Sequence, residues 1–191
     1  MKNKIELFEN FSSNLEATIY EGIVKLGYLK GEPTNIFYTK DLFEHLLELG
    51  DLNKDEFVNT LKELIDYMES KYGRIKIGVE KERYKVTVPS CGVDYIQKNN
   101  QGNMFLKDLI EEMKKSDSNL EGIHSIFLKY SNMINDEVIL EEANNDEFDY
   151  IMYFKYKKVD PFIYCFTINE ISRYYHRLTE YDYNQLINHD N

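Results

Sequence analysis

The sequence predicts an α+β fold made of two units, residues 1–100 and 101–191. Three observations predict it. Apolar residues recur at helical spacing through the first third of the chain. Two alternating arms over residues 74–88 describe a β-hairpin. Beyond the polar stretch Asn99-Asn100-Gln101-Gly102-Asn103, two helical segments precede strands rich in tyrosine and phenylalanine. The pattern is open to two separate cores or to one shared core.

The elements follow in order. Over about Ile5 to Leu29 the spacing of Leu7, Phe8, Phe11, Leu15, Ile19, Ile23, Val24 and Leu26 gives an amphipathic helix that Gly27 ends. Gly31-Glu32-Pro33 is a turn, and Ile36-Phe37-Tyr38 a short extended piece. Thr39 caps a helix over Lys40 to Leu49, with Leu42, Phe43, Leu46 and Leu47 on its buried stripe and Gly50 at its end. Asn53 and Glu56 have capping-box spacing and open a helix to about Tyr72, with Phe57, Val58, Leu61, Leu64, Ile65 and Met68 inward. The hairpin arms are Arg74 to Val79 and Tyr84 to Val88, joined by Glu80-Lys81-Glu82-Arg83. Pro89 closes the second arm, and a short helix begins at Gly92. Helix, helix, hairpin, helix is the order of a winged-helix-like unit.

The second unit begins with helices at about Met104–Lys115 and Leu120–Met133. Strands are expected at Val138–Glu142, Glu147–Tyr156, Phe162–Ile168 and Ile171–Arg177, with a tight turn at Asn169-Glu170. Thr179 caps a last helix, and the whole reads as helices on a small antiparallel sheet. Aromatic side chains fall on both faces of that sheet. Two helices cover one face, which leaves the other for the first unit, a partner or a second subunit in a homodimer.

Charge narrows the partners. The chain carries 34 acidic and 23 basic residues, a net charge of -11. The second unit holds most of the excess. A field of that sign repels phosphate backbones and lipid headgroups. Two cysteines, one in each half, form no CxxC and no disulfide framework. With no signal-peptide pattern and no membrane-length apolar run in the sequence, the expected location is the cytoplasm.

Glu147-Phe148-Asp149-Tyr150, Tyr164-Cys165-Phe166, Tyr175-His176-Arg177-Leu178 and Asp182-Tyr183, together with Val88-Pro89 and Gly92-Val93-Asp94-Tyr95-Ile96, carry a resemblance. With them the chain resembles a bacterial family of about this length, known as a domain of unknown function. The resemblance spans nearly the whole chain and implies no activity.

Three constellations are candidates for chemistry. Arg74, Lys76, Lys81, Arg83 and Lys85 make the hairpin the one basic place, suited to phosphate contacts. The helix before it offers Asp55, Glu56, Asn59, Glu63, Asp66 and Glu69, with Lys62 the one favourable charge, and that sign disfavours nucleic acid. A two-residue turn at Asn169-Glu170 sets Cys165 and His176 as diagonal neighbours, the beginnings of a thiol–imidazole pair, with Asp149 or Glu147 to orient it. A lone strand cysteine is more often core. The acidic run Asp136 to Asp149 lacks EF-hand spacing, and His124 and His176 are isolated, so no metal and no cofactor are expected. The reading is a non-enzymatic, intracellular protein-interaction module that binds a protein and no membrane. The alternatives are a DNA-binding transcriptional regulator and a Cys/His-dependent hydrolase or transferase.

Overall fold

In the computed structural model, which describes residues 3–100, 104–143, 147–169 and 172–189, the first apolar stripe forms helix α1 (Lys4–Leu26). Asn3 caps its start, and Gly27, at φ 95°, ends it in a conformation that glycine adopts without steric cost. Among the described residues the chain forms seven helices and two antiparallel sheets, an α+β protein. It divides into two compact units, Met1–Gly102 and Asn103–Asn191. The end of the expected boundary run, residues 101–103, lies outside the described residues.

In the first unit, β1 (Thr34–Thr39) leads into α2 (Lys40–Leu46), where the Leu42 amide donates to the Thr39 hydroxyl at 3.3 Å. The helix stops before the expected Leu49. Glu48 takes a left-handed φ of 49°, and the Leu49 amide folds back to the Glu44 carbonyl at 2.9 Å. That reversal turns Leu47 and Leu49 into the core. Helix α3 (Lys54–Tyr72) opens with the full capping box of Asn53 and Glu56. Its buried row is Thr60, Leu64, Met68 and Tyr72, one i+4 line, so the expected stripe is shifted and Val58 stands exposed.

Strands β2 (Lys76–Glu80) and β3 (Arg83–Val88) form the hairpin, and β1 adds to the far side of β3, giving the order β1-β3-β2. Tyr38 lies opposite Tyr84 and Phe37 opposite Lys85, so the expected extended piece is an edge strand. Phe43 joins the layers, stacked on Tyr84 at 4.2 Å and edge-on to Phe11 at 5.5 Å. Helix α4 (Ser90–Asn99) packs on α1 and α3.

The second unit runs α5 (Met104–Met113), α6 (Leu120–Ile134), β4 (Val138–Glu142), β5 (Tyr150–Phe154), β6 (Ile163–Ile168), β7 (Arg173–Leu178) and α7 (Glu180–His189). The strands form a meander in chain order, β4-β5-β6-β7. One face packs on α5 and α6 through Phe105 and Phe127, which meet Phe154 at 5.0 and 5.1 Å and Tyr164 at 5.8 and 5.4 Å. On the other face Ile151, Ile163 and Cys165 are buried with Phe148, and Tyr183 and Leu186 of α7 pack on them. Part of the face left open in the sequence reading is thus covered by the chain's own last helix. No helix of the described residues is long and apolar enough to cross a membrane.

Candidate functional site

The hairpin turns on Lys81 and Glu82, both at positive φ (49° and 64°), because Glu80 pairs directly with Arg83. A two-residue loop of this kind follows the strand twist, and neither residue is the glycine or asparagine that adopts it cheaply. Pleating then sorts the five basic candidates. Lys76, Arg83 and Lys85 share one sheet face with Phe37, since Lys85 pairs with both Phe37 and Gly78. The Lys85 ammonium lies 5.6 Å from the Phe37 ring centroid and 2.9 Å from Glu80. Lys81 stands in the turn. Arg74 precedes the strand and pairs with Glu69 of α3 at 3.3 Å. On α3, Asp55, Glu56, Asn59, Lys62, Glu63, Asp66 and Glu69 are all exposed, together with Val58 and Tyr67.

A second polar cluster joins α1 to α3. Ser12 and Tyr72 share a hydrogen bond of 2.5 Å between their hydroxyls, Tyr72 also donates to the Glu16 carboxylate, and Lys71 pairs with Glu16 at 2.6 Å. Beside it runs a cleft of about 460 Å³ lined by Ser12, Ser13, Tyr67, Ser70, Lys71 and Tyr72 among others. Burial, reinforced by Glu16, pushes the Tyr72 phenol up to about 12. Burial works against the charge on Lys71, but Glu16 and Tyr72 outweigh it and hold the ammonium above its ordinary value. Near neutral pH the phenol keeps its proton and the lysine its charge, so these two side chains donate hydrogen bonds and neither is a ready base. The sequence signal for it was slight: Ser12 and Glu16 share a helix face at i, i+4, but their partners come from another helix.

The thiol–imidazole pair has a different register from the one expected. Ile168 pairs with Arg173, leaving four residues between β6 and β7, so Cys165 lies directly opposite His176 and not diagonal to it. The Asn169 amide donates to the Ser172 carbonyl, and the Asn169 side chain takes the Ser172 amide at 2.8 Å, closing this wider loop. Glu170, expected in the turn, lies outside the described residues. Cys165 is fully buried, and burial pushes its thiol up to about 12. The exposed His176 ring rests against Phe148 and Tyr174, at 5.4 and 5.6 Å. Asp149 spends its carboxylate on the Ile168 amide at 2.7 Å. Cys165 and His176 face each other across the ladder, yet the thiol is held protonated and Asp149 fastens a strand end.

In the acidic run, Asp136 accepts from the amides of Glu137, Tyr156 and Lys158 at 2.8 to 2.9 Å, and Glu137 pairs with Lys155 at 2.7 Å. Asp146 lies outside the described residues. Among the described residues no three His, Cys, Asp or Glu side chains gather as a metal site.

These features define a two-unit α+β protein in which a hairpin-bearing unit precedes an aromatic four-stranded meander. Residues 8–187 match the model of the family described as "Domain of unknown function, E. rectale Gene description (DUF3877)", and the chain belongs to that family. No curated protein and no solved structure matches it.

Proposed function

We propose that the chain is a protein-interaction module that catalyses no reaction and whose first unit is winged-helix-like, with α3 presented to a basic protein surface. The order helix, strand, helix, helix, hairpin, with β1 paired on β3, supports the winged-helix reading. The sign of α3 carries the functional one. Its exposed carboxylates Asp55, Glu56, Glu63, Asp66 and Glu69 oppose a phosphate backbone, and exposed Val58 and Tyr67 add apolar and aromatic area suited to a protein partner. Two free cysteines suit a reducing compartment, so this reading puts its work in the cytoplasm.

The test uses the tagged full chain and an Asp55→Lys/Asp66→Lys variant in lysate of the native cell, with nuclease. A stoichiometric protein retained by the native chain and lost by the variant, whose circular dichroism is unchanged, supports the reading. A partner held equally by both removes α3 from it.

A second reading rests on Lys76, Arg83 and Lys85 sharing one face of the hairpin sheet. A DNA-binding regulator using that face binds duplex DNA at low salt, loses affinity steeply as salt rises, and weakens on Arg83→Glu. Absence of any complex at low salt ends it.

A further inference from the structure

Between the outer end of the meander and α7 lies a cleft of about 180 Å³. Its lining includes Tyr153 on β5, Tyr183 on α7, Glu141 on β4 and Glu180 on α7. Lys157, also in the lining, reaches Glu180 at 2.5 Å. One lysine therefore faces two carboxylates, and Glu141 makes no ion pair among the described residues. Tyrosine side chains and carboxylates lining a small cavity favour a guest that is positively charged, weakly hydrated and compact. The same fields act on the phenols: burial raises both, and Glu141 raises both further.

We propose that this cleft binds a small organic cation with a quaternary ammonium head. The rings of Tyr153 and Tyr183 receive the head, Glu141 supplies the opposing charge, and the Lys157 ammonium at Glu180 is its competitor. An anionic guest would meet both carboxylates, and a purely apolar one would gain nothing from them. The proposal goes beyond the docking of a protein on α3 and does not rest on it.

The test is an NMR titration of the full chain with choline chloride at constant ionic strength, following the tyrosine ring signals assigned through Tyr153→Phe and Tyr183→Phe. The expected result is a saturable shift confined to those two rings. Glu141→Gln, on an exposed edge position, should weaken choline about two- to fivefold, the range for a partly exposed ion pair. Lys157→Gln should tighten it by removing the competitor. The uncharged carbon isostere of choline should produce no saturable shift. Three outcomes overturn the proposal: no saturable shift with choline, equal binding of the isostere, or unchanged affinity in Glu141→Gln with an unchanged circular dichroism spectrum.

Discussion

Asp160 and Arg177 form a buried ion pair, Oδ2 to Nη2 at 2.7 Å, with side chains only 3% and 5% exposed. Asp160 Oδ1 accepts the Phe162 amide at 3.0 Å, and the Arg177 guanidinium lies 3.9 Å from the Phe162 ring centroid. The pair thus ties the strand carrying Arg177, β7, to the segment that enters β6. Burial pushes the Asp160 carboxyl up, while Arg177 and the Phe162 amide oppose it. Removing one partner leaves the other as a buried, uncompensated charge. Arg177→Met should destabilise the protein by about 3–5 kcal/mol. Adding Asp160→Leu should recover part of that loss, because the stranded charge goes too. Urea unfolding of the two variants checks the sign, and a double variant weaker than the single one contradicts the account.

Two glycines of the first unit make opposite predictions. A Cβ on Gly92 would lie 2.4 Å from the Tyr72 carbonyl oxygen and 2.7 Å from Val88 Cγ1. The nearer atom is backbone at the end of α3 and cannot rotate away. Gly92→Ala should cost roughly 1–3 kcal/mol through overpacking. Gly22, inside α1, has nothing within 4 Å of a built Cβ. Gly22→Ala should stabilise by up to about 1 kcal/mol, from helix propensity alone. Shifts of the same sign in the urea midpoints of the two variants would falsify the packing argument.

The contrast between these glycines also marks what the sequence could show. Signals carried within one element were legible: the Asn53–Glu56 box, the stop at Gly27, and the strand over Val138–Glu142. What failed depended on neighbours distant in sequence. Ile36 to Tyr38 is extended as its residues predict, but its place in a sheet comes from β3, which supplies its hydrogen bonds. The buried row of α3 ends on Tyr72 because Ser12 and Glu16 of α1 offer the Tyr72 hydroxyl its partners. A polar residue is a core residue only when such partners exist. The β6–β7 register moved because the loop closes through the Asn169 side chain, a local bond that the strand alternation does not announce. At the candidate sites, the acidic face of α3 was legible from helical spacing, whereas the Ser12–Tyr72–Glu16–Lys71 cluster and the Tyr153–Tyr183 cleft needed tertiary packing.

Asp136 should contribute to acid sensitivity. Burial disfavours its charge, but the amides of Tyr156, Glu137, Lys158 and Val159 outweigh that and hold its carboxyl below the ordinary value of 3.8. A carboxyl lowered by folding adds stability that is fully present above its unfolded value. That stability is lost as pH falls through the folded one. The loop after β5 should therefore weaken below about pH 4. In Asp136→Asn the acid limb of a stability-versus-pH curve should be shallower, and at neutral pH the loss should be roughly 1–3 kcal/mol, since an amide oxygen replaces a charged acceptor. An acid limb as steep as that of the native chain would remove Asp136 from the account.

The two cysteines should differ sharply as thiols. Cys165 sits among Phe148, Ile151 and Ile163, fully buried, and burial pushes it up to about 12. Only a thiolate attacks an alkylating agent, and at pH 7.5 a thiol near 12 supplies a vanishing fraction of it, behind a packed core. Cys91 is exposed at the start of α4. Iodoacetamide on the native chain should add one carbamidomethyl group, at Cys91, and a second only when urea opens the sheet. Intact-mass spectrometry with peptide mapping reads both events. Raising the pH to 9 should still leave Cys165 unlabelled, because a thiol near 12 is almost wholly protonated there. Labelling of native Cys165 as fast as that of Cys91 would show that the thiol has a nearby base after all, with His176, directly across the ladder, the first residue to replace.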